Sequence, residues 1–261
     1  MRYLRLYGSF LRFSISRAAE FRMDYYFRVA MDLVYYAVNL AFFRVLFLHS
    51  NSVGGWSEDQ AIIFVAAFLL NDAIFMTLFS NNFWMLPGAI NSGNLDYYLT
   101  RPVSSLFFLS LREFAANSFL NLVFAAAILV WAIARYPAHL GAMSIAAYVV
   151  FLFAGSLIHA MMALMFILPV FWMQGGRGLA EVYYATEVYI QRPHQVFAGW
   201  LRRTLMSVLP LALVVSFPTH MLFSGFTAGR IGYFLLILLC TFGALLFLWG
   251  RGLKAYASAS S

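Results

Sequence analysis

Six apolar stretches of about 20 residues or more dominate the sequence, and each is long enough to cross a bilayer as a helix. A soluble domain of 261 residues could not bury this much apolar surface, since 63% of its residues are hydrophobic. Ordinary globular domains contain about 45–50% apolar residues. The sequence therefore predicts an all-α polytopic membrane protein, with six transmembrane helices roughly at 29–48, 61–84, 114–134, 144–172, 204–223 and 231–249.

The basic residues indicate on which side of the membrane the termini lie. Of the seventeen Arg and Lys residues, fourteen fall on the predicted side of the N terminus and two on the opposite side, while Arg44 lies within the first span. Cytoplasmic loops carry an excess of Lys and Arg, so we expect both termini to be cytoplasmic. The predicted organisation is an amphipathic interfacial helix at 1–28, a membrane domain at 29–250 and a cytoplasmic tail at 251–261.

Two of the predicted cytoplasmic segments are long, namely residues 85–105 and residues 173–203. A protein that works wholly within the bilayer needs little there, whereas one driven by a cytoplasmic partner needs a docking surface. The second segment contains Gly175-Gly176 and Arg192-Pro193. It also contains apolar residues at helical spacing that we expect to line one face of a short surface helix: Leu179, Val182, Tyr183, Thr186 and Ile190.

The first outer loop has a recognisable helix start. Gly54-Gly55 predicts a turn, and Ser57 followed three residues later by Gln60 has the form of a capping box. Span 2 is therefore expected to begin near Ser57.

The sequence lacks the motifs of an enzyme or of an ATP-binding chain. Lys254 is the only lysine and is followed by Ala255, so no phosphate-binding loop ending in Lys-Ser or Lys-Thr can form. The single cysteine, Cys240, excludes an internal disulfide and any multi-cysteine metal site. The arginines lie beside apolar spans rather than in a basic stripe. We expect no catalysis by this chain, no metal and no nucleic-acid partner.

Four polar residues lie inside predicted spans, where each needs an explanation: Asn39, Asn71, Asp72 and His159. A charged side chain near the bilayer centre costs roughly 2.5–3.5 kcal/mol on insertion scales. Asn39 and Asp72 lie at similar depths, roughly 14 and 17 Å from the outer end at 1.5 Å per residue. Asn39 could therefore form a hydrogen-bonded clamp with Asn71 or Asp72, or Asp72 could be a substrate or proton site. His159 is expected to be a packing residue.

Residues 93–102 read Gly-Asn-Leu-Asp-Tyr-Tyr-Leu-Thr-Arg-Pro. This segment resembles the Gly-x-Leu-Asp-x-x-Leu-x-Arg-Pro signature of one branch of the ABC-2 type permeases. These are six-span membrane subunits of ATP-binding-cassette exporters, whose ATPase is usually a separate chain. The turn at Gly54-Gly55, Phe171-Trp172 and the later Arg192-Pro193 are similar too. Asn94 departs from the pattern, since the family often has Glu there.

The resemblance implies that this loop is a coupling helix that docks on the ATPase, formed by Gly93, Leu95, Asp96, Tyr98, Leu99, Arg101 and Pro102. The residues themselves are compatible with a short helix: Gly93 permits a turn with positive φ, Asn94 can cap the helix, and Pro102 ends it. Leu95, Tyr98 and Leu99 would share one side. In the alternative reading, Asp96 and Arg101 only pair with each other and hold the loop down.

The resemblance further implies an exporter in the bacterial inner membrane. Two permease subunits, identical or related, would associate with two ABC ATPase subunits and with membrane lipids. ATP and Mg would bind in the ATPase, and no cofactor would bind this chain. The expected substrate is hydrophobic or amphiphilic. A secondary transporter driven by an ion gradient and a non-transporting assembly factor are the alternatives, and no inverted repeat typical of the former is evident.

Overall fold

The computed structural model describes residues 2–18, 22–173 and 177–256. The predicted pair Gly175-Gly176, residues 19–21 of the predicted interfacial helix and the tail from 257 onward lie outside the described residues. The helices of the described part are α1 (Arg2–Ala18), α2 (Arg22–His49), α3 (Glu58–Phe75), α4 (Asn81–Asn91), α5 (Asp96–Leu99), α6 (Ser105–Leu111), α7 (Phe119–Arg135), α8 (Ala142–Ile167), α9 (Arg177–Ile190), α10 (Gly199–Met206), α11 (Ser216–Ser224) and α12 (Ala228–Ala255).

Within the described residues, four helical stretches are long and apolar enough to cross a membrane: Val29–His49, Glu58–Asn91, Ala142–Phe171 and Ala228–Ala255. The second of these runs from α3 through a π-helical turn into α4. The apolar helix Phe119–Arg135 is shorter. The predicted all-helical membrane class is confirmed. The first of these stretches begins at Val29, where the first span was predicted, although the helix that contains it, α2, already begins at Arg22.

Helix α3 is the centre of the bundle and packs along α7, α2 and α8. It begins where the sequence predicts. The Ser57 hydroxyl accepts a hydrogen bond from the Gln60 amide, and the Gln60 side chain accepts one from the Ser57 amide. This reciprocal cap satisfies two amides that have no partner within the helix. The acidic Glu58 and Asp59 lie in the first turn, where the helix dipole favours negative charge.

The two ends of the bundle are named here after one residue at each, Trp56 and Asp96. The Trp56 end holds the Gly54-Gly55 turn, and there Trp56 contacts Phe223 of α11 with ring centroids 6.4 Å apart. The Asp96 end holds α5, α6 and the last turn of α12. At that end Phe171 lies edge-on to Tyr256, with centroids 6.3 Å apart.

The structure differs from the predicted fifth span. Residues 204–223 do not form one helix: α10 ends at Met206, and α11 starts only at Ser216. The intervening residues reach deep into the bundle, where a Cβ added to Gly155 of α8 would overlap the carbonyl oxygen of Val214. Gly155 lies roughly 20 Å along α8 from its first residue at 1.5 Å per residue. The segment therefore dips from the Trp56 end to mid-bundle and returns.

The proline at position 210 explains why this segment turns instead of crossing. Pro210 has no amide hydrogen, so a helix cannot continue through it with its hydrogen bonds intact. Apolar residues on both sides still become buried, including Leu205 before the proline and Leu211 after it. Hydropathy alone does not distinguish a crossing helix from two short helices that dip and return, because both bury apolar side chains.

Candidate functional site

The predicted coupling loop forms a short helix, α5, that is anchored to the bundle by its first residues. Gly93 adopts a φ of 76°, the left-handed conformation that glycine favours, as the sequence predicts. The next turn is fixed by a hydrogen bond from the Leu95 amide to the Ala89 carbonyl at 3.1 Å. The Leu95 side chain is 0% exposed. Asn94 does not cap the helix, since its amide donates to the Ser92 hydroxyl.

The exposed face of α5 differs from the predicted one. Leu95 and Tyr98 do not present themselves to solvent: Leu95 is buried, and the Tyr98 ring packs against Phe108 of α6 at 5.6 Å. The exposed side chains are Tyr97, at 59%, and Leu99, at 37%. The prediction erred because the sequence does not show on which side α5 meets the bundle.

Two arginines brace α5 through tyrosine rings. The Arg101 guanidinium lies 4.3 Å from the centroid of the Tyr97 ring and donates a hydrogen bond to its hydroxyl. Arg112 of α6 lies 4.8 Å from the Tyr98 ring centroid and also donates to that hydroxyl. Such cation–π contacts contribute roughly 0.5–1 kcal/mol at exposed sites. Arg101 thus has a partner other than the predicted Asp96.

Asp96 lies next to the end of the last helix. Burial, and after it the nearby carboxylate of Asp96, raises the pKa of Tyr256, which directly follows α12. The phenol therefore stays neutral at physiological pH. The adjacency connects α5 with the end of α12.

Helix α1 lies against α6 at the same end of the bundle. Tyr3 packs edge-on to Phe107 with centroids 4.9 Å apart, and Phe10 packs in the same way on Phe108 at 5.1 Å. Its Ser14 hydroxyl accepts a hydrogen bond from the Phe114 amide. Together α1, α5 and α6 form one continuous surface, called here the α1–α5–α6 surface.

The second predicted cytoplasmic segment does not stay at one end. Its start follows Phe171 at the Asp96 end, but a Cβ at Gly54 would lie 3.2 Å from Val196 at the Trp56 end. Arg192 and the buried Pro193 lie at the Trp56 end, far from α5. Helix α9 runs between the two ends. Of its predicted face, Tyr183 and Ile190 are buried inside the bundle, whereas Val182 is 52% exposed.

The structure brings together two of the four intramembrane polar residues. The Asn71 side-chain amide lies 2.9 Å from Nδ1 of His159, and Nε2 of His159 lies 2.6 Å from the Tyr183 hydroxyl. This network links α3, α8 and α9. The sequence analysis placed Tyr183 on a surface helix and therefore did not connect it with His159.

The predicted clamp between Asn39 and span 2 does not form. Asn39 donates to the Tyr35 carbonyl of its own helix at 2.9 Å. Asp72 lies instead within electrostatic reach of the carboxylates of Asp32 and Glu187.

These observations describe a multi-pass α-helical membrane protein with a short, braced helix exposed at one end. Residues 33–260 match the family model described as ABC-2 family transporter protein, and the chain belongs to that family. The family is a membrane component of ABC transporters, is generally non-catalytic and implies association with an ABC ATPase. No curated protein and no solved structure matches the chain.

Proposed function

We propose that this chain is the membrane-spanning permease subunit of an ABC exporter in a bacterial inner membrane, powered by a separate ATPase. Its substrate is a hydrophobic or amphiphilic compound. One observation carries the proposal: α5 is anchored by the buried Leu95 while Tyr97 and Leu99 stay exposed beside α1. A helix that is fixed on one side and open on the other is suited to transmit force from a docked partner.

Force on α5 has a direct route into three helices. The Leu95–Ala89 hydrogen bond connects α5 to the end of α4, and the Arg112–Tyr98 contact connects it to α6. The neighbouring Asp96 and Tyr256 connect it to α12. Closure of the ATPases on binding ATP would thus displace α4, α6 and α12 together and switch the permease between inward-open and outward-open states.

The proposed topology has six crossings with both termini in the cytoplasm. The crossings are α2, α3 with α4, α7, α8, α9 and α12, so α9 replaces the predicted span at 204–223. Arg192, Arg202 and Arg203 then count at the Trp56 end. Eleven basic residues remain at the Asp96 end against five at the other. The excess still favours a cytoplasmic Asp96 end.

A second permease subunit, identical or related, completes the proposed exporter. Only 11% of the most apolar window of α2 and 17% of that of α12 are buried within this chain. Such uncovered apolar helices require lipid or another membrane subunit around them. The pair of permeases would bind two ATPases, which hold the ATP and Mg.

The docking role is tested by Asp96→Ala and Arg101→Ala, each co-expressed with the partner ABC ATPase. Both residues lie at the α1–α5–α6 surface, so the variants should insert and fold. Truncating a residue at the energetic centre of an interface costs about 2 kcal/mol or more, which weakens binding about 30-fold. We expect loss of co-purification with the ATPase, or ATP hydrolysis uncoupled from export.

The matched control is Arg135→Ala, which removes an exposed arginine from the opposite end, where it lies 5.6 Å from the Trp131 ring centroid. It should bind the ATPase and export normally. If the Asp96 and Arg101 variants behave like this control, residues 93–102 are a structural turn and the docking proposal fails.

A further inference from the structure

A second site lies at the Trp56 end, where α10 runs beside the first turns of α12. The two helices line a pocket of about 560 Å³ that is open to the outside of the protein. Its lining combines two arginines with small and apolar residues: Gly199, Arg202, Arg203, Met206, Ser207 and Tyr233.

The pocket carries positive charge that the chain does not neutralise. No Asp or Glu follows Glu187 in the sequence. Arg202 and Arg203 are exposed, and the described part of the structure provides neither of them with a carboxylate partner. Burial, and after it Arg202 and His220, lowers the pKa of the neighbouring His194 to about 3, so the charge here belongs to the arginines.

The hydroxyl groups of the pocket are already engaged. Tyr233 donates to the Met206 carbonyl at 2.7 Å, and the Ser207 hydroxyl donates to the Arg203 carbonyl at 2.8 Å. These bonds hold α10 against α12 and fix its last turn. The donors that remain available to an incoming group are the two guanidiniums, whose planar N–H groups match the oxygens of a phosphate.

The surroundings of the pocket favour a ligand with an apolar part. Trp200 and Val208 directly follow the lining residues Gly199 and Ser207 in the chain and are each 76% exposed. Tryptophan is enriched at the membrane–water interface, where lipid headgroups lie. We therefore expect the arginines of α10 to lie at headgroup depth and the exposed apolar residues beside them to face acyl chains.

We propose that this pocket binds the phosphate group of an anionic lipid or lipid-like amphiphile, with Arg202 and Arg203 as the phosphate ligands. The acyl chains lie along Trp200 and Val208. The site is independent of the coupling surface at the Asp96 end, so it stands or falls separately from the proposed docking of an ATPase.

The test is a titration of the purified full-length protein in neutral detergent with dioctanoyl phosphatidylglycerol, read by native mass spectrometry. Each arginine near an anionic lipid contributes about 1 kcal/mol, which is about fivefold in apparent Kd. We expect Arg202→Gln/Arg203→Gln to weaken binding about 25-fold on this basis. Arg202→Lys/Arg203→Lys keeps the charge but not the planar donors, so it should weaken binding less than the Gln pair, and Arg135→Gln, an exposed arginine at the same end, should bind as the wild type does.

Two further arms use the wild-type protein, so they do not depend on whether a variant folds. Dioctanoyl phosphatidylcholine, whose headgroup is neutral overall, should bind at least fivefold more weakly than the glycerol lipid. Equal binding of the two lipids, or unchanged binding by the double Gln variant, would overturn the anion site. Displacement of the lipid by equimolar inorganic phosphate would overturn the assignment to a lipid and indicate a site for free phosphate.

Discussion

The contact between Asn71 and His159 is the polar junction on which three helices of the bundle depend. Both side chains are 2% exposed, and His159 continues the network to Tyr183. A polar group that is buried without its partner loses its hydration and recovers nothing, at a cost of roughly 1–3 kcal/mol. Removing one member of the network therefore costs more than the net contribution of the hydrogen bond that is lost, because the remaining partner stays buried.

We predict that Asn71→Ala lowers the free energy of unfolding by about 1–3 kcal/mol, because it leaves the buried Nδ1 of His159 without its hydrogen-bond partner. The measurement is the thermal unfolding of detergent-solubilised protein. Asn39→Ala is the matched control: Asn39 donates to the Tyr35 carbonyl within its own helix, so this variant should change stability far less. Equal effects of the two substitutions would show that the Asn71–His159 bond does not hold the helices together.

Replacing either of two glycines near the end of α12 by alanine should change stability in opposite directions. A Cβ at Gly252 would overlap the ring of Phe171, whereas a Cβ at Gly250 meets nothing within 4 Å. Overpacking a buried contact costs roughly 1–3 kcal/mol, while replacing Gly by Ala in an open helix stabilises by up to about 1 kcal/mol.

Gly252→Ala should therefore lower the midpoint of thermal unfolding, and Gly250→Ala should leave it unchanged or raise it. Both variants replace Gly by Ala in the same helix, so a difference between their midpoints does not come from helix propensity. A stable Gly252→Ala protein would mean that α12 does not pack on Phe171 as described.

At the scale of the element, the segment between α10 and α11 defines the interior of the Trp56 half. Its closest approach is at Gly155, where the backbone of residues 213–214 occupies the place of a side chain. Backbone atoms cannot move aside as the end of a flexible side chain can. This approach therefore depends on the absence of a Cβ at position 155.

We expect Gly155→Ala to destabilise the protein or lower its yield in the membrane, because α8 and residues 213–214 must separate. Gly243→Ala, in a helix position with nothing within 4 Å, is the control and should express and melt as the wild type does. If the two variants melt at the same temperature, residues 211–215 do not reach α8.

Local signals made some elements predictable and left others hidden. The cap at Ser57 and Gln60 and the turn at Gly93 depend on neighbouring residues alone, and both are confirmed. The direction of Leu95 and the path of residues 204–223 depend on contacts with distant helices. For those, apolar composition predicts burial but does not identify which neighbour provides it.

For the molecule as a whole, the proposed coupling requires that the Asp96 end of the bundle face ATP. The α1–α5–α6 surface can meet an ATPase only if the Asp96 end is cytoplasmic. Residues 193–207, which lie at the Trp56 end, must then face the opposite side of the membrane. Orientation therefore links the coupling proposal to the corrected path of residues 193–207.

The orientation of the bundle is tested by the accessibility of single cysteines to a membrane-impermeant thiol reagent. Cys240 is exposed and is replaced first. Single cysteines are then placed at three exposed serines, Ser52, Ser104 and Ser207, and intact cells are treated with a membrane-impermeant thiol reagent. We predict labelling at positions 52 and 207 in intact cells, and labelling at position 104 only after the membrane is opened. Labelling at 104 in intact cells, or protection of 207 while 52 reacts, would contradict it.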